Sequence, residues 1–255
     1  MRVPRIMIND LRGSVVVPSA TDHTAGRLVL RPARREDLPA MSRAHVELLP
    51  IGLFPSLGAR FVRRWHRTFL TSPYGVGVVV VDTAAASEKI VGFVLGTTDQ
   101  AAYTTALTND RRAMAALAFT GLVALLLRPR AALRVVRTRV RPWARRVVPG
   151  RATAPARARA EPSSTPHVAV MTALAVRPDW RKSGIGVLLA ARFVESVRRA
   201  GARWAEAQTS TGPLGATGFY ERLGWDAGHE RPTPDGDSVR TYRLTLSGAG
   251  WNSTD

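Results

Sequence analysis

Residues 167 to 197 read HVAVMTALAVRPDWRKSGIGVLLAARFVESV, and no other stretch limits the fold as much. The first ten residues form a nearly continuous apolar run, the pattern of a strand buried on both faces. A short polar loop carries Arg181, Lys182, Gly184 and Gly186, and helical periodicity follows over 187–200. Strand, glycine turn and helix in this order is the arrangement that binds phosphate. The turn also has a chemical consequence. The first N–H groups of a helix lack intrahelical partners, the helix dipole is positive at that end, and glycine lets an anion approach the backbone. Arg181 and Lys182 add full positive charge, so a phosphate is the ligand this turn suits. No Gly-Lys-Ser/Thr follows, and a polar six-residue loop separates strand from turn, so neither a Walker loop nor a dinucleotide fingerprint is present. On the turn alone, glycines that merely end a loop remain an equal alternative.

The flanking segments supply the rest of a domain. Residues 1–26 read as a loose leader. RLVLRPA (27–33) alternates as a strand, and residues 34–49 form a helix with acids in its first turn. PIGLFPSLG is a loop. Residues 59–72 place Phe61, Trp65 and Phe69 on one helical face, and residues 75–99 read as a β-hairpin. After the glycine turn come a strand over 202–210, a short helix over 215–225 ending at Gly224, and a strand over 238–246. Residues 27–247 therefore read as a single domain, interrupted by an insert over 101–165 and followed by a tail over 248–255.

Composition limits the class. With 45% apolar residues the chain of 255 has ample material for a core. It has no cysteine, which removes disulfides and thiolate metal sites and suits a cytoplasmic protein. No apolar stretch near the N-terminus is followed by a small-residue cleavage site. The longest apolar run, Ala113–Leu127, would make a helix of about 22 Å, short of the ~20 residues of a membrane span. The net charge of +18 is concentrated, because 13 arginines and no acid lie between Arg111 and Ala160. Three readings of that insert stay open: a solvated arginine-rich surface, peripheral contact with an anionic membrane through 111–160, and nucleic-acid binding. The last is the weakest, since Trp143 is the only aromatic interleaved in the arginine-rich part after Leu127 and no base-reading motif is present.

About 34 residues after Gly186 comes GFYERLGW, with Tyr220 on a short helix after the next strand. This ordered pair, with the L-x-V-x-P-x-x-R lead into the turn, resembles the Gcn5-related N-acetyltransferase (GNAT) family. With LRPARREDLPAM near the front, the resemblance covers most of the chain outside the leader and the insert. It implies an α/β (α+β) fold with a mixed, mostly antiparallel sheet of six or seven strands flanked by helices. A V-shaped splay between strands 167–176 and 202–210, parting beyond Val176, would open a slot for acetyl-CoA. The resemblance further implies that the backbone of Leu174, Ala175 and Val176 pairs with the pantetheine arm. Amides from Lys182 through Ser183, Gly184, Ile185 and Gly186 to Val187 would hold the pyrophosphate, with Arg181 opening that loop. Tyr220 would protonate the leaving thiolate, as a phenol neutral at pH 7 is able to do. The competing reading of Tyr220 is a core tyrosine beside Phe219.

The chain departs from the family in two places. The strand 167–176 has no acid to serve as general base, and Thr209, Ser210 and Thr211 stand where an asparagine is common. His45, Glu47, Asp99 and His167 are candidates to act as base through water, although each also reads as a surface or capping residue. The base is thus left unassigned. The expected activity is transfer of an acetyl or acyl group from acetyl-CoA to a primary amine on a small molecule or peptide, without a metal. The alternative is a non-catalytic acyl-CoA-binding or docking module on the same fold.

Overall fold

The computed structural model describes residues 15–17, 28–84, 89–129, 132–133, 167–233 and 236–246. Most of the leader, most of the arginine-rich part of the insert and the tail lie outside them. The described chain runs β1 (Val15–Val17), β2 (Leu28–Pro32), α1 (Leu38–Leu48), α2 (Leu53–Ser56), α3 (Ala59–Thr71), β3 (Gly75–Asp82), β4 (Lys89–Thr97), α4 (Gln100–Asn109) and α5 (Arg111–Leu127). It continues as β5 (Val168–Val176), α6 (Ile185–Arg199), β6 (Trp204–Ser210), α7 (Thr217–Arg222), β7 (Asp226–Pro232) and β8 (Ser238–Thr245).

The strands form one sheet in the order β1-β2-β3-β4-β5-β6-β8-β7. All neighbours are antiparallel except β5 and β6, which are parallel. A parallel pair needs a crossover, and α6 supplies it. Ile185, Leu189, Ala190, Phe193 and Val197 recur at helical spacing and are the buried stripe of α6. They pack on one sheet face with Val76, Val78, Val80, Val94, Ala169 and Met171. Helices α1, α3 and α4 cover the opposite face, where Met41, Phe69 and Tyr103 meet Val79, Val81, Phe93 and Leu95. Tyr103 belongs to the insert expected from 101, so that segment begins inside the packed core.

The mixed, mostly antiparallel sheet flanked by helices agrees with the sequence reading. Two strands escaped it. β1 adds a short edge strand within the expected leader, and β7 (DAGHERP) is exposed at every residue, so it carries no apolar alternation. The loop expected over 50–58 contains the one-turn helix α2.

In β5 the burial differs from the expected two-sided pattern. Ala169, Met171, Ala173 and Ala175 are buried, while the residues between them are half-buried. The register against β4 shifts between Leu95↔Ala173 and Gly96↔Met171, so Thr172 is a bulge. The extra residue swaps the faces of the strand. Ala169 and Met171 point to the α6 side, whereas Ala173 and Ala175 point to the α1–α3 side.

At the β2–α1 junction the buried Arg31 guanidinium donates two hydrogen bonds to Asp37, at 2.7 and 2.9 Å. Asp37 Oδ2 also accepts the Arg34 N–H at 2.7 Å. This clamp sets the direction in which α1 leaves the sheet.

Candidate active site

β5 and β6 are paired only from Val168↔Trp204 to Met171↔Ala207. Past Met171 the two strands part, while β5 continues along β4 to Val176↔Gly92. The splay therefore starts at the Thr172 bulge, five residues earlier than the expected opening beyond Val176. From Thr172 onward the β6-facing edge of β5 is unpaired, and the backbone of Leu174, Ala175 and Val176 lies along it. The Val176 carbonyl accepts a long bond from Arg181 Nε at 3.4 Å.

A cleft of about 680 Å³ occupies the splay. It is lined by Leu174, Ala175, Val176, Arg181, Lys182, Gly184, Gly186, Val187 and Tyr220, so the structure brings together most of the residues expected at a cofactor site. Ser183 and Ile185 do not line it. The Ser183 hydroxyl donates to the Trp180 carbonyl at 2.6 Å, and Ile185 points into the core. Their amides remain in the turn. The first bond of α6 runs from the Leu188 N–H to the Gly184 carbonyl at 3.0 Å, so the N–H groups of Ile185, Gly186 and Val187 have no intrahelical acceptor. Gly184 caps the helix at φ +88°, and Lys182 before it also has a positive φ of 65°. A β-carbon on Gly184 would meet nothing within 4 Å, so the backbone conformation is what requires glycine there. Gly186 is different: a β-carbon would lie 3.3 Å from the Phe219 ring, and its absence lets α6 approach α7. The turn thus offers free amides, a helix N-terminus and two cations to an anion.

Tyr220 is buried at 6% exposure, stacked on Tyr242 and edge-on to Trp225 and Phe219. Burial pushes its pKa up to about 12, so the phenol is neutral and a donor throughout the neutral range. Its hydroxyl donates to Met171 Sδ at 3.8 Å, a weak acceptor on the last β5 residue paired to β6. The ring is therefore part of the core, and the hydroxyl sits where the strands part. Thr209, in place of the common asparagine, accepts the Ala216 N–H at 2.8 Å and sets the start of α7.

A second cavity of about 390 Å³ opens from the same point and shares Leu48, Leu49, Leu174, Leu214, Ala216 and Tyr220 with the cleft. Its outer wall comes from the end of α1, the 50–55 segment and Trp65. The structure separates the base candidates. Asp99 accepts the Ala102 N–H as the cap of α4 and lies 3.7 Å from the exposed His167, and neither lines the cavity. Glu47 is exposed on α1. His45 alone is buried and lines the cavity.

His45 Nδ1 and His66 Nε2 are 3.1 Å apart, and both rings pack against Trp65 and Phe93. Burial lowers the His45 pKa to about 4. His66 is pushed lower still, by burial and by its neighbour. The pair is neutral at pH 7. His66 was not singled out from the sequence, although its position on α3, four residues after Val62 and three before Phe69, places a polar ring on the buried stripe. Among the described residues no cluster of three or more histidines and acids could hold a metal ion, and no helix is long and apolar enough to cross a membrane.

The acetyltransferase (GNAT) family model matches residues 136–225, which hold β5, the glycine turn, α6, β6 and α7. No curated protein matches the chain. Among solved structures it is similar to yncA from Salmonella typhimurium, solved with its cofactor acetyl-CoA, at 10% identity and a TM-score of 0.51, covering 88% of this chain and 96% of that one. It is also similar to NAA60 of Arabidopsis thaliana in complex with a bisubstrate analogue, at 11% identity and a TM-score of 0.51, covering 86% and 97%. An N-acetyltransferase from Staphylococcus aureus Mu50 matches at 11% identity and a TM-score of 0.50, covering 86% and 99%. At these identities the likeness is one of fold. Residues 136–225 thus match the acetyltransferase (GNAT) family model, and the chain has the fold shared by these solved acetyltransferases.

Proposed function

We propose that the protein transfers an acetyl group from acetyl-CoA to an amine bound in the second cavity. One observation carries this reading: the cationic cleft and the apolar cavity share a wall whose one polar side chain is the buried Tyr220. The residues fit acetyl-CoA as a co-substrate. The unpaired edge of Leu174, Ala175 and Val176 suits an amide-bearing arm, which would bind as an added strand. The amides from Lys182 to Val187, with Arg181 and Lys182, suit a pyrophosphate. When bound, acetyl-CoA supplies a thioester carbonyl for attack and a thiol as leaving group. Tyr220 gives up its weak bond to Met171 and donates to the departing sulfur. Its raised pKa makes the phenol a weak acid that keeps its proton, so the proton passes only as charge builds on the sulfur.

Calorimetric titration with acetyl-CoA, followed by a thiol-release assay over a panel of amines, tests the reading. Saturable binding and amine-dependent thiol release are expected. Binding without release from any amine would leave an acyl-CoA-binding module, and absence of binding would remove the reading altogether.

A second reading, compatible with the first, concerns α5. Its inner face packs on Leu57 and Phe61 through Leu117, Ala124 and Leu125. Its outer residues Phe119, Leu122, Leu126 and Leu127 are 68, 57, 75 and 71% exposed. The following sequence is rich in arginine and free of acid as far as Ala160. An apolar face beside concentrated positive charge suits peripheral docking on an anionic membrane. Cosedimentation with phosphatidylglycerol vesicles, lost in Leu122→Glu/Leu126→Glu and absent with phosphatidylcholine, is the expected result. Equal sedimentation of the variant and the native protein would exclude this face.

A further inference from the structure

The acceptor cavity has an unusual wall for a site that receives amines. Amines are mostly cationic at pH 7, and a buried ammonium needs a carboxylate or several oxygen acceptors. None of the residues lining this cavity is charged. The wall is mainly Leu, Ile, Phe, Pro and Trp65, and its polar groups are neutral: His45, Thr172, Gln208, Thr209, Ser210 and the Tyr220 hydroxyl. Among these, one side chain is built to take up a proton. His45 is buried, its Nδ1 is held by His66 at 3.1 Å, and its ring is flanked by Trp65 and Phe93. Among the described residues no other hydrogen bond engages the His45 ring, which lines the cavity with its second nitrogen, Nε2, unengaged.

From this arrangement we infer that His45 is the general base of the transfer, and that the acceptor is a weakly basic, uncharged amine on an apolar body, of the arylamine class. The inference rests on the acetyl-transfer reading and deepens it. The neutral cavity admits an amine that is already unprotonated in water and penalises one that must first shed a proton. As the amine nitrogen attacks the thioester carbonyl, a C–N bond forms and the nitrogen becomes positive and acidic. Its proton passes to His45 Nε2. The C–S bond breaks with its electron pair on sulfur, which takes up a proton from the Tyr220 side. The two transfers balance, and solvent restores both residues between turnovers.

The role requires one tautomer. His45 Nδ1–H donates to His66 Nε2, and the His45 Nε2 lone pair faces the cavity. His66 then carries its own proton on Nδ1, which has no partner in the surrounding core. Burial and the neighbouring ring keep the imidazole weakly basic, and such a base suffices only where the attacking nitrogen becomes strongly acidic. That is the case for an aryl nitrogen, whose lone pair is delocalised, and far less so for an alkyl one. Base and substrate class therefore support each other.

The test uses 4-methylaniline and benzylamine, isomers of equal bulk that differ in basicity, with the full-length protein at pH 7.5. Acetyl-CoA binding is first established by titration, so that failure of the acetyl-transfer reading is recognised separately. The expected result is a kcat/KM at least about tenfold higher for 4-methylaniline. Faster turnover of benzylamine, or no turnover of either amine by protein that binds acetyl-CoA, overturns the substrate class. For the base, His45→Asn keeps an amide near Nδ1 to face His66 and removes Nε2. It is expected to lower kcat with 4-methylaniline by about 10²–10⁴-fold and to leave the acetyl-CoA Kd unchanged. A kcat within threefold of the native value overturns the assignment. If His45→Asn does not fold, His45→Gln is measured against the same limits.

Discussion

The two halves of the site are built in opposite ways. The proposed cofactor cleft is made mainly from two continuous segments, Leu174 to Val187 and Pro213 to Leu223, and the first offers backbone: an open strand edge, free amides and a left-handed glycine. The proposed acceptor cavity is assembled from α1, the 50–55 segment, α3, the Thr172 bulge, the end of β6 and α7, and it offers side chains. One half is cationic, the other uncharged. Backbone recognition suits a co-substrate whose phosphates and amides do not vary. Side-chain recognition lets an acceptor pocket be rebuilt without disturbing the strand and helix that hold the cofactor.

Four perturbations break or sharpen this contrast. Arg31→Ala leaves the buried Asp37 carboxylate without its guanidinium and releases the start of α1. Breaking a buried pair costs about 3–5 kcal/mol, and the expected outcome is a loss of that size in chemical denaturation. The acceptor side should loosen first, seen as a larger rise in amine KM than in acetyl-CoA Kd at permissive temperature. A stability change below about 1 kcal/mol would show that α1 is anchored elsewhere.

Acid should also act through the acceptor side. The folded-state pKa of His45 lies near 4, below its ordinary 6.5, and His66 shifts the same way. The unfolded chain therefore binds more protons between these values, and stability falls as pH falls. The contribution is fully present above about pH 6.5 and is lost progressively toward pH 4. For His45 alone the shift corresponds to about 3 kcal/mol over that window. Urea midpoints measured at pH 7 and pH 5 should differ clearly, and should differ less in His66→Asn. Equal midpoints in the native protein would mean that the pair is already protonated or solvated.

Gly184→Glu acts on the cofactor half alone. The new side chain enters open space, so the fold survives, but it meets a φ of +88° and sets a negative charge at the phosphate position. Acetyl-CoA affinity measured by calorimetry is expected to fall by about 100-fold or more. Gly186→Glu should weaken binding as well, with added strain against Phe219. Unchanged affinity in Gly184→Glu would dissociate the turn from phosphate binding.

The smallest effect is expected where the halves meet. Tyr220→Phe removes a hydroxyl whose one partner among the described residues is the Met171 sulfur, so packing on Tyr242 and Trp225 is retained. Turnover should drop about tenfold or more with little change in acetyl-CoA affinity. Equal single-turnover rates would reduce Tyr220 to a core residue.

How legible each half was follows from its construction. Strand, turn and helix from 167 to 199 are local, and their periodicities, glycines and cations stand in one line of text. Tyr220 was legible through its spacing from the turn and its resemblance to a family pattern. The edge strand β7 was not, because an exposed strand carries no apolar alternation. The bulge at Thr172 was not legible either, since VMTAL reads as uninterrupted strand and the extra residue is visible only against the register of β4.

What the sequence by itself determined is therefore the set of features that act through contiguous residues: the crossover helix, the phosphate-suited turn and the apolar strand that must be buried behind it. Tertiary structure alone decided where the slot opens and what faces the acceptor. The opening is a register event between two strands. The wall is a convergence of segments as far apart as His45, Trp65 and Val239. His45 and His66 are single histidines 21 residues apart in the chain, and only the crossing of α1 and α3 over Phe93 buries them together, lowers their basicity and turns one toward the cavity. Burial and pair geometry are properties of packing, and packing is nonlocal.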